Sequence, residues 1–132
     1  HPMVNQIEIH PFYQQQEARQ VMEAYGVVPQ AWGPLSEGQK DIFHNKILLQ
    51  IAGDHGKTTA QVMLRWHFQQ GVPTIPKTVH LKRMRENLDI CDFALTPKEM
   101  EAIAAMDIGH SEIIDHRRFC TARQLNSVRI HG

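Results

Sequence analysis

The sequence predicts an α/β fold in which parallel strands alternate with helices. Two patterns indicate it: short strand-like runs bounded by glycine or proline, and longer segments with apolar residues at helical spacing. The two kinds of segment alternate along most of the 132 residues, with one extra helix inserted. Such alternation implies parallel strands joined by right-handed crossovers, and the length suggests a single domain.

The first strand is predicted at residues 3–9, "MVNQIEI". Alternation places Val4, Gln6 and Glu8 on one face, with Ile7 and Ile9 on the other. Polar residues are poor strand formers. Two interpretations stay open: an exposed strand face, or polar side chains that face a ligand or a barrel interior.

A helix and a second strand follow. Glycine at residue 26 is typical of the position just after a helix. The second strand, residues 27–32, ends at the Gly33-Pro34 breaker. The helix carries an apolar stripe with i, i+3, i+4, i+7 spacing: Ala18, Val21, Met22 and Tyr25.

Two further helices are predicted before the third strand. The extra helix has one apolar side, ends near Gly56, and is lined by Ile47, Leu48, Ile51 and Ala52. The next helix occupies residues 58–71, where Thr58 and Gln61 form a capping-box pair and Gly71 ends the helix. The third strand is predicted at residues 72–77.

The last part of the chain contains two more predicted helices and a tail. Leu81, Met84 and Leu88 give one segment a helical stripe. Residues 95–106 form the last helix, with Thr96 at the N-cap, Pro97 at N1 and Glu99 at N3. After Asp115 no clear periodicity remains, so this polar and basic segment is interpreted as a tail.

Composition limits the function classes. Lys+Arg and Asp+Glu number 14 each, which argues against a nucleic-acid footprint. No apolar run could span a bilayer, and no secretory signal opens the chain. Cys91 and Cys120 fit neither a disulfide scaffold nor a metal motif, so the sequence predicts a reducing, cytoplasmic location and no metal site.

Four basic residues cluster after the third predicted strand: Lys77, Lys82, Arg83 and Arg85. A bound phosphate would explain them. A solvated helix face would explain them equally well, since exposed basic side chains are common. The residues alone leave both interpretations open.

Four motifs in this order resemble the C-terminal part of the aldo-keto reductases, closest to bacterial diketogulonate-reductase-like members: "VNQIEIHPF", "AWGPLSEG", "GKTTAQVMLRWHFQQG" and "IPKTVHLKRMRENLDICDF". The resemblance implies a partial (β/α)8 TIM barrel, made of the last three βα units plus an extra helix at about residues 39–52. It covers residues 1–114. Residues 115–132 form a divergent C-terminal tail.

The resemblance implies NADPH as cofactor. Gln6 matches the family residue that binds the nicotinamide carboxamide, Trp32 the aromatic that stacks on the nicotinamide ring, and Leu35 a backbone near the pyrophosphate. The adenosine end matches Lys77, Thr78 and Arg83 around the 2′-phosphate, with Glu86 and Asn87 at the adenine. Lys82 and Arg85 have no counterpart and are interpreted as solvated charges.

Three residues near Leu35 depart from the family pattern. Gly33 stands where many members have serine, which removes one pyrophosphate contact. Ser36 and Glu37 replace the more usual Gly-Arg or Gly-Ser pair. Glu37 would repel a phosphate if its side chain pointed inward.

No catalytic residue is predicted. A complete barrel takes roughly 250 residues, and the family's catalytic tetrad is expected before His1. Tyr25 is expected to pack against the sheet, while Tyr13 and His10 lie on a loop without a nearby lysine. The hypothesis is therefore the cofactor-binding portion of an NADPH-dependent oxidoreductase that reduces aldehydes or ketones, inactive by itself.

The alternative is a non-catalytic remnant that acts as an oligomerising or cofactor-binding module. Under either interpretation the partner is a small-molecule carbonyl substrate of the intact enzyme, not nucleic acid or a membrane. Three strands cannot close a barrel. Self-association, or pairing with the missing N-terminal half, is therefore expected.

Overall fold

The computed structural model describes residues 1–111, 113–114 and 119–127. A 3-10 segment, Ser36–His44, follows the second strand. The strands and helices, in chain order, are β1 (Val4–Glu8), α1 (Gln16–Ala24), β2 (Val28–Trp32), α2 (Lys46–His55), α3 (Thr59–Gln69), α4 (Leu81–Leu88), α5 (Pro97–Ala104) and α6 (Phe119–Ser127).

The predicted parallel pairing of the first two strands is confirmed. β1 and β2 pair in parallel with Gln6 opposite Gln30 and Glu8 opposite Trp32. One face of this pair is buried, since Ile9 and Ala31 have no solvent exposure. The other face is open, with Val4 52% exposed.

The third predicted strand is wrong as a regular strand. Within the described residues, segment 72–77 contributes only one isolated parallel bridge, between Ala31 and Thr74. Pro73 and Pro76 explain this, because a proline has no N–H to donate to a ladder. The Pro73 carbonyl still accepts a 2.9 Å hydrogen bond from the Ala31 N–H, so the segment lies alongside β2.

The predicted caps of three helices are confirmed, but the extra helix expected from about residue 39 begins only at Lys46, because Lys40 and Asp41 have left-handed backbone. Thr58 and Thr96 both form capping boxes, with Gln61 and Glu99 respectively. Glycine ends α2 at Gly56, where a φ of +63° is costly for other residues. These caps satisfy amide groups that would otherwise lack partners.

The core lies between the buried sheet face and three helices. Leu48 and Ile51 come from α2, Val62, Met63 and Trp66 from α3, and Ile103 from α5. Each of these side chains is at most 4% exposed. The core therefore lies between the sheet and the helices, and it packs against only one face of the two strands.

Helix α1 corrects one expectation. Met22 is buried, but Val21 is 58% and Tyr25 is 66% exposed, so the prediction that Tyr25 packs against the sheet is wrong. Helix α1 ends at Ala24, and Tyr25 is its C-cap with φ −101°. The helical spacing does not place Tyr25 on the same face as Ala18, because Tyr25 lies beyond the last helical residue.

Part of the segment interpreted as a tail is helical. Residues 119–127 form α6, although the sequence shows no apolar periodicity there. The run "TARQL" contains good helix formers, and intrinsic propensity can favour a helix without an amphipathic stripe. The predicted boundary between residues 114 and 115 stays a prediction.

Candidate functional site

The open face of the sheet carries two amides and an aromatic ring. Gln6 and Gln30 are register partners, and the Gln6 Nε2 donates to the Gln30 Oε1 at 2.9 Å. Trp32 lies two residues beyond Gln30 and therefore on the same face. Gln30 is a residue that motif matching missed; strand register would have found it, because it pairs with Gln6.

A tight turn follows β2. The Ser36 N–H donates to the Gly33 carbonyl at 2.8 Å, and the half-buried Leu35 packs against the core. Ser36 adopts φ +53°, a left-handed conformation where glycine is favoured. This is a physical reason why glycine suits that position in the family pattern.

The Ser36 hydroxyl is an unpaired polar group at this turn. Its side chain is fully buried, and its Oγ has no hydrogen-bond partner within the described residues. Burying a hydroxyl without a partner is costly. The hydroxyl has no solvent exposure, so a ligand would reach it only if this turn opened.

The departures from the family pattern have structural counterparts. Glu37 is exposed, so its carboxylate does not point into the core. A Cβ at Gly33 would lie 3.1 Å from the Ile113 side chain, and Gly33 has φ +58°. A serine at residue 33 would thus meet both backbone strain and a close neighbour.

The basic residues lie at the same edge as the turn. Because the Ala31–Thr74 bridge is parallel, the chain leaves it in the direction of β2, towards Lys77 and α4. Ligand sites on parallel sheets lie at the carboxyl ends of the strands. The structure therefore brings Trp32, Leu35 and Lys77 to one edge.

Helix α4 presents the remaining predicted residues. Arg83 is exposed, and neither it nor Lys77 makes an ion pair within the described part of the chain. The Thr78 Oγ1 accepts from the His80 N–H at 3.2 Å, which leaves its own proton free to donate. These groups offer two cations and a hydroxyl to a phosphate.

The two residues predicted to contact the adenine, Glu86 and Asn87, are half-buried. Glu86 lies 3.7 Å from the Lys82 Nζ in an i, i+4 ion pair, and Asn87 follows it. The Lys82 side chain is 88% exposed, as expected for a solvated charge. An exposed ion pair of this kind contributes little to stability.

A buried polar network at the end of β1 escaped the sequence analysis. The Glu8 Oε1 lies 2.9 Å from the His10 Nε2, and its Oε2 accepts from the Ser111 Oγ at 2.6 Å. Ser111 in turn accepts from the Ile113 and Ile114 amides. The network fixes the chain after α5 across the end of β1, beside Gly33.

The sequence gives little indication of this buried polar network. Glu8 was expected on the open face with Gln6, yet it is only 4% exposed. The Glu8 carboxylate is shielded from solvent by Ser111, which lies 103 positions away in the chain. The His10 Nδ1 is buried without a hydrogen-bond partner within the described residues. The imidazole therefore contacts Glu8 through its Nε2 and does not reach solvent.

Other kinds of site find no support in the described ranges. No group of three or more His, Cys, Asp or Glu side chains there could hold a metal ion. Within the same ranges, no helix has both the length and the apolar character needed to cross a bilayer.

A family model and several known proteins match the chain. The model of the aldo/keto reductase family matches residues 1–108. Glyoxal reductase from Bacillus subtilis is 46% identical over 106 residues, 80% of this chain and 38% of that protein. Methylglyoxal reductase DkgA from Escherichia coli K12 is 39% identical over 82% of this chain and 39% of its own length.

Solved structures give the same relationship. A mutant of Gox0644 in complex with NADPH superposes with a TM-score of 0.82 at 39% identity, over 86% of this chain and 41% of that one. An aldo-keto reductase from a deep-sea metagenome library superposes at 0.80 with 30% identity. The chain spans about two fifths of the length of these relatives.

Proposed function

We propose, from the premise that this chain belongs to the aldo/keto reductase family, that it is the NADPH-binding portion of an enzyme that reduces aldehydes or ketones to alcohols. One observation carries the proposal. Lys77 follows the Ala31–Thr74 bridge in the direction of β2, towards the sheet edge at which Trp32 ends β2, and neither Lys77 nor the exposed Arg83 has an ion pair within the described residues. The structure of a Gox0644 mutant in complex with NADPH supports the choice of cofactor.

Each part of the cofactor has a proposed set of contacts. The Gln6 amide binds the nicotinamide carboxamide, and the Trp32 ring lies against the nicotinamide. The Leu35 backbone faces the pyrophosphate. Lys77, Thr78 and Arg83 bind the 2′-phosphate, with Glu86 and Asn87 at the adenine. Bound NADPH supplies the hydride.

The phosphate assignment is tested by replacing one arginine. A charge-assisted hydrogen bond contributes roughly 1.5–3 kcal/mol, so Arg83→Ala should weaken NADPH about 10- to 150-fold. NADH, which has no 2′-phosphate, should lose much less. Both cofactors are titrated by tryptophan fluorescence.

Arg85→Ala is the matched control. Arg85 is exposed on the same helix and has the same charge, but it has no proposed ligand. It should leave both affinities nearly unchanged. Equal losses of NADPH and NADH affinity in Arg83→Ala would contradict the phosphate assignment.

The reduction itself is proposed for a longer enzyme that contains this portion. A developing alkoxide needs a proton donor, and we propose none among these 132 residues. The chain by itself should therefore oxidise no NADPH in the presence of aldehydes and ketones. Turnover that persists after rigorous purification would contradict this, and Tyr13 would then be the first residue to replace.

An oligomerising module is the second candidate. Val4 is 52%, Val28 42% and Ile75 62% exposed on or beside the open sheet face. Covering a large aliphatic side chain contributes roughly 1.5–3 kcal/mol, and open strand edges favour pairing. We propose that another copy, or the first half of a barrel, covers this face.

Sedimentation at several concentrations tests the assembly. Self-association should increase with concentration, and Val4→Lys should reduce it by placing a charge on the open face. Lys98→Glu, a charge change at an exposed position on α5, is the control. A strict monomer with a concentration-independent thermal melt would exclude self-association.

A further inference from the structure

Helix α4 carries the proposed adenosine contacts but lacks an apolar anchor. None of its eight side chains is buried within the part of the chain that the structure describes. Leu81 is 63% exposed, and Leu88 81%. A helix normally gains most of its stability from packing an apolar face. Something else must therefore fix the direction in which Arg83 points.

A polar clamp holds the C-terminal end of α4. We call it the Lys57 clamp; it consists of Lys57, Gln61 and Arg65 against residues 89–93. The Lys57 Nζ lies 2.9 Å from the Asp89 Oδ2 and 2.7 Å from the Asp92 Oδ2. Asp89 is the C-cap of α4, and its N–H donates to the Arg85 and Glu86 carbonyls.

Two side chains of α3 complete the clamp. The Gln61 Nε2 donates to the Asp89 carbonyl at 2.8 Å, and the Arg65 Nη1 to the Ile90 carbonyl at 3.0 Å. The Phe93 ring lies beneath both cations, 5.5 Å from the Lys57 Nζ and 6.0 Å from the Arg65 guanidinium. The hydrogen bonds run from α3 and from Lys57, just before its N-cap, to the segment that follows α4.

Lys57 connects Asp89 and Asp92, at the two ends of the short segment that follows α4. Its ammonium bridges the carboxylates of Asp89 and Asp92, with its side chain only 11% exposed. The hydrogen bonds to Asp89 and then Asp92 raise the pKa of Lys57, because the two carboxylates stabilise its charged form. A cation at the C-terminus of a helix also interacts favourably with the helix dipole.

We propose that Lys57 is a positioning residue for the adenosine-phosphate end of the site. It touches no proposed ligand; it fixes the C-terminus of α4, and through α4 the placement of Arg83 relative to Lys77 and Thr78. The proposal rests on the proposed function for its ligand. Its structural half, that Lys57 orders α4, stands separately.

Hydrogen exchange of the whole chain tests the structural half. Lys57→Met retains an apolar stem over Phe93 but removes the ammonium. Amides in the C-terminal half of α4, such as those of Arg85 and Leu88, should lose protection about tenfold or more, while α5 amides keep theirs. Unchanged protection in α4 would overturn the proposal, whether or not a nucleotide binds.

Two further variants separate the clamp from general effects of charge. Lys57→Arg keeps the cation and should restore most of the α4 protection. Lys82→Met removes an exposed lysine from α4 itself and should change little. Equal loss of protection in α4 and α5 would mean that Lys57 acts on global stability, which would also overturn the proposal.

Cofactor selectivity tests the functional half. Lys57→Met should weaken NADPH about five- to tenfold, with a smaller effect on NADH, and its effect should not add to that of Arg83→Ala. If Arg83→Ala is selective but Lys57→Met is not, the positioning role is wrong. If Arg83→Ala itself is unselective, the proposed function fails, and hydrogen exchange alone decides the role of Lys57.

Discussion

Helices α3 and α4 are neighbours that the protein holds by opposite means. Helix α3 buries seven side chains, including Trp66 and His67, and begins with a capping box. Helix α4 buries none within the described residues, and its N-cap, His80, makes no side-chain hydrogen bond there. Both sequences show an apolar stripe, so a stripe predicts a helix but not what covers it.

The difference indicates that the two helices have different roles. Helix α3 is a scaffold, because core packing fixes it whatever is bound. We propose that helix α4 faces the ligand, since polar contacts at one end leave its basic face open to solvent. Elements near a ligand are commonly drawn from the less stable parts of a fold.

The largest expected effect is on core packing. Trp66→Ala should lower the free energy of unfolding by about 3–5 kcal/mol, because it removes a large side chain that is 1% exposed. Leu88→Ala on α4 should change it by less than about 0.5 kcal/mol. Urea denaturation measures both. A comparable loss in Leu88→Ala would mean that another copy covers α4 in solution.

The pH dependence of α3 should be nearly as large. Burial lowers the pKa of His67 to about 4, although the Ile9 and Met63 carbonyls partly oppose the shift. Since the unfolded state binds the proton first, stability falls as pH drops from about 6.5 towards 4. By pH 5 the loss should be roughly 2 kcal/mol.

A matched variant isolates this histidine. His67→Gln keeps a side-chain donor near the two carbonyls at 2.7 and 3.0 Å but does not titrate. Its unfolding free energy should vary less between pH 7.5 and 5 than that of the unmodified chain. Identical pH slopes would show that His67 is not held neutral by burial.

The cap of α3 should have a smaller effect. Thr58→Ala removes the hydroxyl that accepts from the Gln61 N–H at 3.2 Å. The expected cost is about 1 kcal/mol of unfolding free energy, measured by urea denaturation. Thr58→Ser, which keeps the hydroxyl, should cost much less; equal losses would show that the cap hydrogen bond contributes nothing.

The smallest expected effect comes from giving α4 a side-chain N-cap like that of α3. His80 has an extended N-cap conformation, with φ −94° and ψ 118°, which suits a serine cap. His80→Ser should raise the unfolding free energy by about 0.5 kcal/mol and increase amide protection in α4. Unchanged protection would mean that the clamp at the other end already fixes the helix fully.

Much of the candidate site was predictable from the sequence. The motifs led to Gln6, Trp32, Leu35 and the basic residues, and the structure brings Trp32, Leu35 and Lys77 to one sheet edge. The family match over residues 1–108 confirms the resemblance. Assignment of each residue to a part of NADPH stays a prediction.

Other features lacked a local signal. Gln30 and Glu8 owe their surroundings to strand register and to Ser111, which lies 103 positions from Glu8. Likewise, Lys57 looks like any surface lysine until the fold brings Asp89 and Asp92 to it. Contacts between distant positions leave no periodicity for sequence reasoning to detect.

The sequence by itself determined one end of each of four helices, because caps and left-handed glycines are local: Thr58 and Thr96 begin α3 and α5, and Gly26 and Gly56 follow α1 and α2. It also determined the family. Only the tertiary structure decided that Tyr25 faces solvent, that Ser111 covers Glu8, and that Lys57 contacts Asp89 and Asp92 beyond the end of α4. Burial and pairing depend on neighbours far along the chain, which local physics cannot specify.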